Sequence, residues 1–393
     1  MTTRPPSAIV VSLAGMLSLA AAMGIGRFAF TPVLPLMIRD GHLQVAAGGW
    51  LAAANYLGYL VGAVAAARVA ASASRLTWLS LAGIAITTGA MTLHAATSWL
   101  ALRFVAGACS AGVFVATSVW CLGALDRMQR QDLGPAVYAG VGVGIATAGG
   151  YCLWAGIRGW PSDLVWLHLG LLAAGLSMPV VLVVRRLADF PMGAVGSRPE
   201  PGPPPRGTAG LVGCYGIMGL GYILPATFLP VMAREVNANP SVFGSAWPLF
   251  GVTAAASTLV AGPAMRSTSR LHVWAVCQLL MAIGALLPAL VASATTILLS
   301  ALLVGSTFMV VTLAGVQEIR ARMPGDAAAW VGYLTASFAF GQIAGPAAAA
   351  LLLAQPALAP TAMGRCLEAA AALLAFSAAW LWCQADSSPS HRS

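Results

Sequence analysis

Two arginines stand where a charge is costly. Arg27 lies in an apolar run between Gly26 and Phe28, and Arg103 lies in a later one. A guanidinium is always charged, and its planar fork of donors suits a carboxylate or a phosphate. Phe30 and Thr31 follow Arg27 at i+3 and i+4, so on a helix they share its face. Other candidate pocket groups are Asn55 with Tyr56, the face Tyr215–Met218–Tyr222, and Thr335 with Gln342. Asn55 and Gln342 stand out because a buried amide needs partners. Acids are scarce: Asp40, Asp126 and Asp163 fall at the ends of apolar runs. Glu318 precedes Arg322 by four residues and Glu368 follows Arg365 by three, which are helix ion-pair spacings. With no acid in mid-run, the groups able to carry a proton are His168, Glu318 and Glu368. His168 has an equally simple role as a satisfied core histidine.

Several chemistries are excluded. All 20 basic residues are Arg, so there is no P-loop lysine and no lysine Schiff base to pyridoxal phosphate or retinal. The +9 charge is spread singly or in pairs between apolar runs, with no basic stripe for nucleic acid. The seven Cys form no CxxC and read as small apolar residues, so no disulfide framework, metal site or cofactor is expected. No HExxH or Ser–His setting suggests an enzyme.

These groups are held by a membrane. Of 393 residues 59% are hydrophobic and 8% charged, with mean hydropathy +0.84. A soluble chain carries about 25% charged residues. A spanning helix needs roughly 20 apolar residues. Twelve such runs occur, near 8–38, 44–67, 76–93, 98–125, 135–157, 164–184, 208–232, 242–265, 271–291, 295–317, 330–353 and 362–383. The uncharged run 271–317 is too long for one helix and is divided at Ser293-Ala294-Thr295-Thr296. The runs are rich in Ala, Leu and Gly without period-two alternation, which selects helices over a barrel. The first run continues past Ala22, which favours a retained span over a cleaved leader.

Twelve spans place both termini on one side. One face then carries Arg4, Arg68, Arg75, Arg127, Arg130, Arg185, Arg186, Arg198, Arg206, Arg266, Arg270, Arg320, Arg322 and Arg392. The other carries Arg39, Arg158, Arg234 and Arg365. The positive-inside rule makes both termini cytoplasmic. The expected location is the inner (plasma) membrane.

The chain also repeats at an offset of 195 residues. Met23-Gly24 matches Met218-Gly219, Gly26 matches Gly221, and Pro35 matches Pro230. Ser74-Arg75-Leu76 matches Ser269-Arg270-Leu271, Arg127-Met128 matches Arg322-Met323, and Tyr138 matches Tyr333. Two parallel six-helix halves follow, residues 1–184 and 208–393, joined by the Pro-rich cytoplasmic linker 185–207. Arg27 has Tyr222 as its repeat partner, so its charge belongs to one half alone.

The residues resemble the major facilitator superfamily (MFS) over essentially the whole chain, and more narrowly its YbfB/YjiJ-type branch. Gly24-Ile-Gly-Arg-Phe-Ala-Phe-Thr-Pro-Val-Leu-Pro-Leu-Met37 and Phe340-Gly-Gln-Ile-Ala-Gly-Pro346 carry the branch resemblance. The span-4 pattern Arg103-Phe-Val-Ala-Gly107 is present. The loop 2–3 signature lacks its Asp, and span 5 has Gly140, Gly142, Gly144 and Gly149-Gly150 without the antiporters' Gly-Pro step. The resemblance implies an all-α, twelve-helix fold with spans 1, 4, 7 and 10 around a central cavity, and a span-4 Arg active in proton transfer or gating. The competing role for Arg103 is snorkelling to the interface.

The expected function is secondary active transport of a small organic anion or zwitterion by rocker-switch alternating access. The partners are that substrate, the lipid bilayer and, by family habit, protons, with the protein acting as a monomer. The substrate-binding set is Arg27, Phe30, Thr31, Asn55, Arg103, Tyr222 and Gln342. Arg27 on backbone carbonyls around Gly24, Gly26 or Gly150 is the alternative role for that residue. Gly58, Gly62, Gly140, Gly144, Gly341, Gly345 and Pro346 are expected at the moving contacts. A multidrug or metabolite efflux antiporter and a non-transporting sensor are the competing functions.

Overall fold

The computed structural model describes residues 6–68, 72–93, 96–187, 205–236, 239, 244–265, 268–323 and 327–386. Arg4, Arg198, Arg266, Arg392 and most of the expected linker lie outside the described residues.

Among the described residues the chain is all-helical, with twelve long helical segments. They are α1 (Ala8–Arg39), α2 (Val45–Arg68), α3 (Ala73–Ala90), α4 (Ala96–Arg127), α5 (Gly134–Ile157), α6 (Ser162–Val184), α7 (Thr208–Val236), α8 (Ala246–Ala264), α9 (Arg270–Leu290), α10 (Ala294–Arg322), α11 (Ala327–Leu353) and α12 (Ala359–Asp386). Ten are long and apolar enough to cross a membrane. The apolar stretch of α8, Ala246–Ala261, is shorter. In α3 the hydropathy is diluted by buried Thr77, Ser80, Thr87 and Thr88. Thr77 and Thr87 answer their hydroxyls locally, each donating to the carbonyl four residues back at 2.7 Å.

The break between α9 and α10 is chemical. Ser293 Oγ accepts from Thr296 N–H at 3.2 Å, while Thr296 Oγ1 accepts from Ser293 N–H at 3.2 Å. This reciprocal capping box starts a new helix in the middle of an uncharged run.

Helix α1 is not continuous. Ala8–Leu19 is α-helical, Ala20–Arg27 is π-helical, and Phe30–Arg39 resumes the α-helix. Pro32 and Pro35 bring no N–H, so the carbonyls four residues before them have no helical donor. Phe28 N–H reaches back five residues to the Met23 carbonyl at 3.0 Å, and Thr31 N–H takes the Phe28 carbonyl at 3.2 Å. The glycines of this segment let neighbours close in. A Cβ on Gly24 would fall onto the Gly144 backbone of α5, and one on Gly26 would lie 2.6 Å from Ser110 Oγ of α4.

Within the first six helices, α4 packs on α2 and α3, α3 on α6, and α1 on α4, α5 and α6. Six helices later the same pairs recur: α10 on α8 and α9, α9 on α12, and α7 on α10, α11 and α12. The two groups meet through α5 with α8, α2 with α11, and α1 with α7.

Candidate functional site

In the break of α1 the Thr31 N–H turns to the Phe28 carbonyl, which leaves the Arg27 carbonyl without its usual helical donor. Arg103 supplies donors: Nη1 bonds the Gly26 carbonyl at 3.2 Å and Nη2 bonds the Arg27 carbonyl at 2.8 Å. It is 2% exposed, so it does not snorkel to an interface. Its guanidinium lies over the Phe30 ring at 5.0 Å. Phe30 in turn stacks on Trp166 at 6.5 Å and therefore serves Arg103 more than Arg27. Asn55 Nδ2 ties the same corner, donating to the Arg103 carbonyl at 2.8 Å and the Gly26 carbonyl at 3.4 Å.

With its backbone held in this way, the Arg27 side chain crosses to the other helix group. It too is 2% exposed. Its Nη2 donates to Gln342 Oε1 on α11, and Gln342 Nε2 donates to Tyr222 Oη on α7. Its guanidinium lies over Tyr59 at 3.9 Å, Phe28 at 5.1 Å and Tyr56 at 5.4 Å. The backbone-carbonyl role weighed for Arg27 is taken by Arg103 instead. Among the described residues no carboxylate pairs with either arginine. The Nε of each finds no partner.

Tyr222 stands between Phe308 at 5.3 Å and Phe338 at 5.6 Å, almost parallel to both. Phe250 and Trp247 extend the row beyond Phe308. The buried charge thus comes from α1 and α4, and the aromatic wall from α7, α8, α10 and α11. Tyr215 joins this wall through Phe338 at 5.3 Å, whereas Thr335 bonds its own helix at Val331. Sequence reasoning missed Tyr59, Phe308 and Phe338. Tyr59 is one turn from Asn55 and Tyr56 and so was within reach of helical spacing; the two Phe carry no signal apart from the fold.

Other candidates lie away from this cluster. His168 meets Tyr151 Oη at 2.5 Å and the Trp160 ring at 5.3 Å. Glu318 accepts from Arg322 Nε at 2.7 Å, with Arg270 at 3.7 Å. Glu368 and Arg365 are both exposed and form no ion pair, contrary to expectation, since three residues on an exposed helix face do not force contact.

The glycines fall differently from expectation. Gly58 and Gly62 press on Phe104 and Ala108 of α4, Gly140 and Gly144 on Met16 and Ala20 of α1, and Gly341 on Gly216 of α7. Gly345 has Ile223 at 3.1 Å. All six pack inside one helix group. Close approaches between groups are made by Gly142 with Gly251, Gly149 with Pro248, and Gly49 with the Pro346 carbonyl and Ala350.

Four hydrogen bonds join α1–α6 to α7–α12 among the described residues. They run from Arg27–Gln342 through Thr31–Ala226 (3.0 Å) and Tyr56–Thr227 (3.3 Å) to Arg234, which donates to the Pro35 carbonyl at 2.6 Å. At that end Asp40 accepts from Arg39 Nε at 2.8 Å and from Ser162 N–H at 2.7 Å, while Arg39 Nη2 donates to the Trp160 carbonyl at 2.6 Å. Burial pushes the Asp40 pKa up, but these hydrogen bonds outweigh it and hold the carboxyl below its ordinary value.

Twelve helices, ten of them long and apolar enough to cross a membrane, surround the buried charged junction and fit an MFS-type membrane transporter. The model of the family described as "Uncharacterised MFS-type transporter YbfB" matches residues 19–381, and the chain belongs to that family. Among solved structures, the nucleoside transporter NupG matches with TM-score 0.73 at 12% identity, over 95% of this chain and 100% of its own. The human organic anion transporter MFSD10 (TETRAN) matches with TM-score 0.65 at 15% identity, over 96% of this chain and 100% of its own. A bacterial homologue of the human lysosomal transporter Spinster, in an inward-facing and occupied conformation, matches with TM-score 0.72 at 17% identity, over 98% of both chains. At these identities the likeness is one of fold. No curated protein sequence matches the chain.

Proposed function

We propose that the protein is a secondary active carrier of a small organic anion or zwitterion, working by rocker-switch alternating access. The observation that carries this is the pair of buried guanidiniums, Arg27 and Arg103, at the junction of two helix groups with no carboxylate against either among the described residues. A buried cation without an acid attracts an anion and repels a cationic drug. The organic anion transporter among the structural neighbours is in keeping with this.

The moving bodies are residues 1–184 and 208–393, joined by the linker 185–207. The 195-residue offset and the helix pairings that recur six helices on support this division. The arginine bias favours an inner-membrane orientation with both termini in the cytoplasm. The hydrogen bonds between the bodies then lie toward the outer side, while Gly142 and Gly251 keep α5 and α8 in contact on the other side of Arg27. Proton coupling rests on family habit, with Arg103, His168, Glu318 and Glu368 as its candidates.

The test is flux in proteoliposomes with panels of labelled organic acids, phosphomonoesters and organic cations. Saturable uptake of acids, lost in Arg27→Ala, is expected. Saturable uptake of cations with none of anions overturns the proposal. Acid uptake that ignores an uncoupler removes proton coupling alone.

A further inference from the structure

In a guanidinium the Nε–H and Nη2–H bonds point the same way along one edge, and together they match the two oxygens of a carboxylate. On Arg27 one of these two nitrogens has a hydrogen bond and the other has none. Nη2 donates to the Gln342 amide oxygen, while Nε, buried, has no partner among the described residues. A neutral amide brings one oxygen to an edge that offers two donors. Its other atom, Nε2, is a donor turned away to Tyr222. Tyr59, Phe28 and Tyr56 gather around the guanidinium, and Nε is its buried donor without a partner among the described residues.

We propose that Gln342 is a placeholder for the substrate's carboxylate, which displaces it and takes Arg27 Nε and Nη2 as a side-on pair. The inference rests on the anion proposal above and narrows it to carboxylates over tetrahedral anions. Displacement has a mechanical consequence. Gln342 is the relay that joins α1 to α11 through Arg27 and to α7 through Tyr222. A carboxylate on Arg27 breaks that relay, so binding loosens α1 from the opposite helix group.

The experiment uses purified full-length protein in detergent with acetate as the probe, against chloride at equal ionic strength and against sulfate. Gln342→Ala vacates a space of acetamide size in front of the fork. Acetate is expected to raise the Tm of this variant saturably, by about 3 °C or more, and to move the wild type less. Sulfate is expected to have no such effect, and adding Arg27→Lys to Gln342→Ala should abolish the response to acetate. Gln342→Glu, which ties a carboxylate to α11, should be insensitive to acetate and more stable than wild type; it serves if Gln342→Ala does not fold. No saturable response to acetate, an equal response to sulfate, or one that survives Arg27→Lys overturns the inference. Acid flux by the wild type without an acetate response in Gln342→Ala removes Gln342 from the carboxylate's place and leaves the carrier standing. An acetate response without acid flux keeps the fork and removes the transport proposal.

Discussion

The Thr31 hydroxyl donates to the Ala226 carbonyl across 3.0 Å, and the two residues are 195 positions apart in the chain. That separation is the offset at which the two sequence halves match. The bond joins α1 to α7, where the two helix groups meet. One turn before Thr31, Arg27 reaches across the same junction to Gln342.

Arg27→Lys should fold and lose transport. Lysine keeps the charge but lacks the fork, and a charge-assisted hydrogen bond contributes about 1.5–3 kcal/mol. Initial acid uptake in proteoliposomes is expected to fall by roughly one to two orders of magnitude, with far-UV circular dichroism unchanged.

Arg103→Ala should act on stability first. It orphans the Arg27 carbonyl, at about 1–3 kcal/mol when buried, and leaves the Gly26 carbonyl with the 3.4 Å bond from Asn55. Arg103→Ala is therefore expected to lower the Tm more than Arg27→Ala does, because Arg27 donates to a side chain that can re-pair. Equal Tm values would show that the carbonyls of the α1 break find other donors.

Gly142→Ala wedges α5 off α8, since its Cβ would lie 2.6 Å from the Gly251 carbonyl. Gly150→Ala, on the same helix, meets nothing within 4 Å. Uptake should drop at least several-fold in the first and stay near wild type in the second; matched activities would place the sliding contact elsewhere.

Asp40 closes one end of the bundle, and its folded-state pKa is lowered from 3.8. A depressed carboxylate contributes stability above its unfolded pKa and loses it as pH falls through the folded value. The Tm difference between wild type and Asp40→Asn should hold steady from about pH 5 to 8 and shrink below about pH 4. A difference that grows on acidification contradicts this sign.

Much of the architecture was legible because the bilayer demands it. A run such as 135–157 must be helical to satisfy its backbone in lipid, and the helix found is Gly134–Ile157. The division at Ser293 was legible because a capping box is local chemistry. Arg27, Asn55, Tyr222 and Gln342 were legible as candidates because buried polar groups demand partners.

Which partners they take was not legible. Arg103 and Arg27 are alike in sequence, yet one secures the carbonyls of a broken helix and the other crosses to α11. That division depends on the π-helical turn before Phe28, set jointly by Pro32, Pro35 and the close approach of Gly24 to α5. Tyr59, Phe308 and Phe338 reach the site from three different helices. Composition and periodicity specify what each helix must bury. Only the packing of α1 against α4, α5, α7 and α11 determines which buried groups meet, because hydrogen bonds and ring contacts act over a few ångströms while these residues lie tens to hundreds of positions apart.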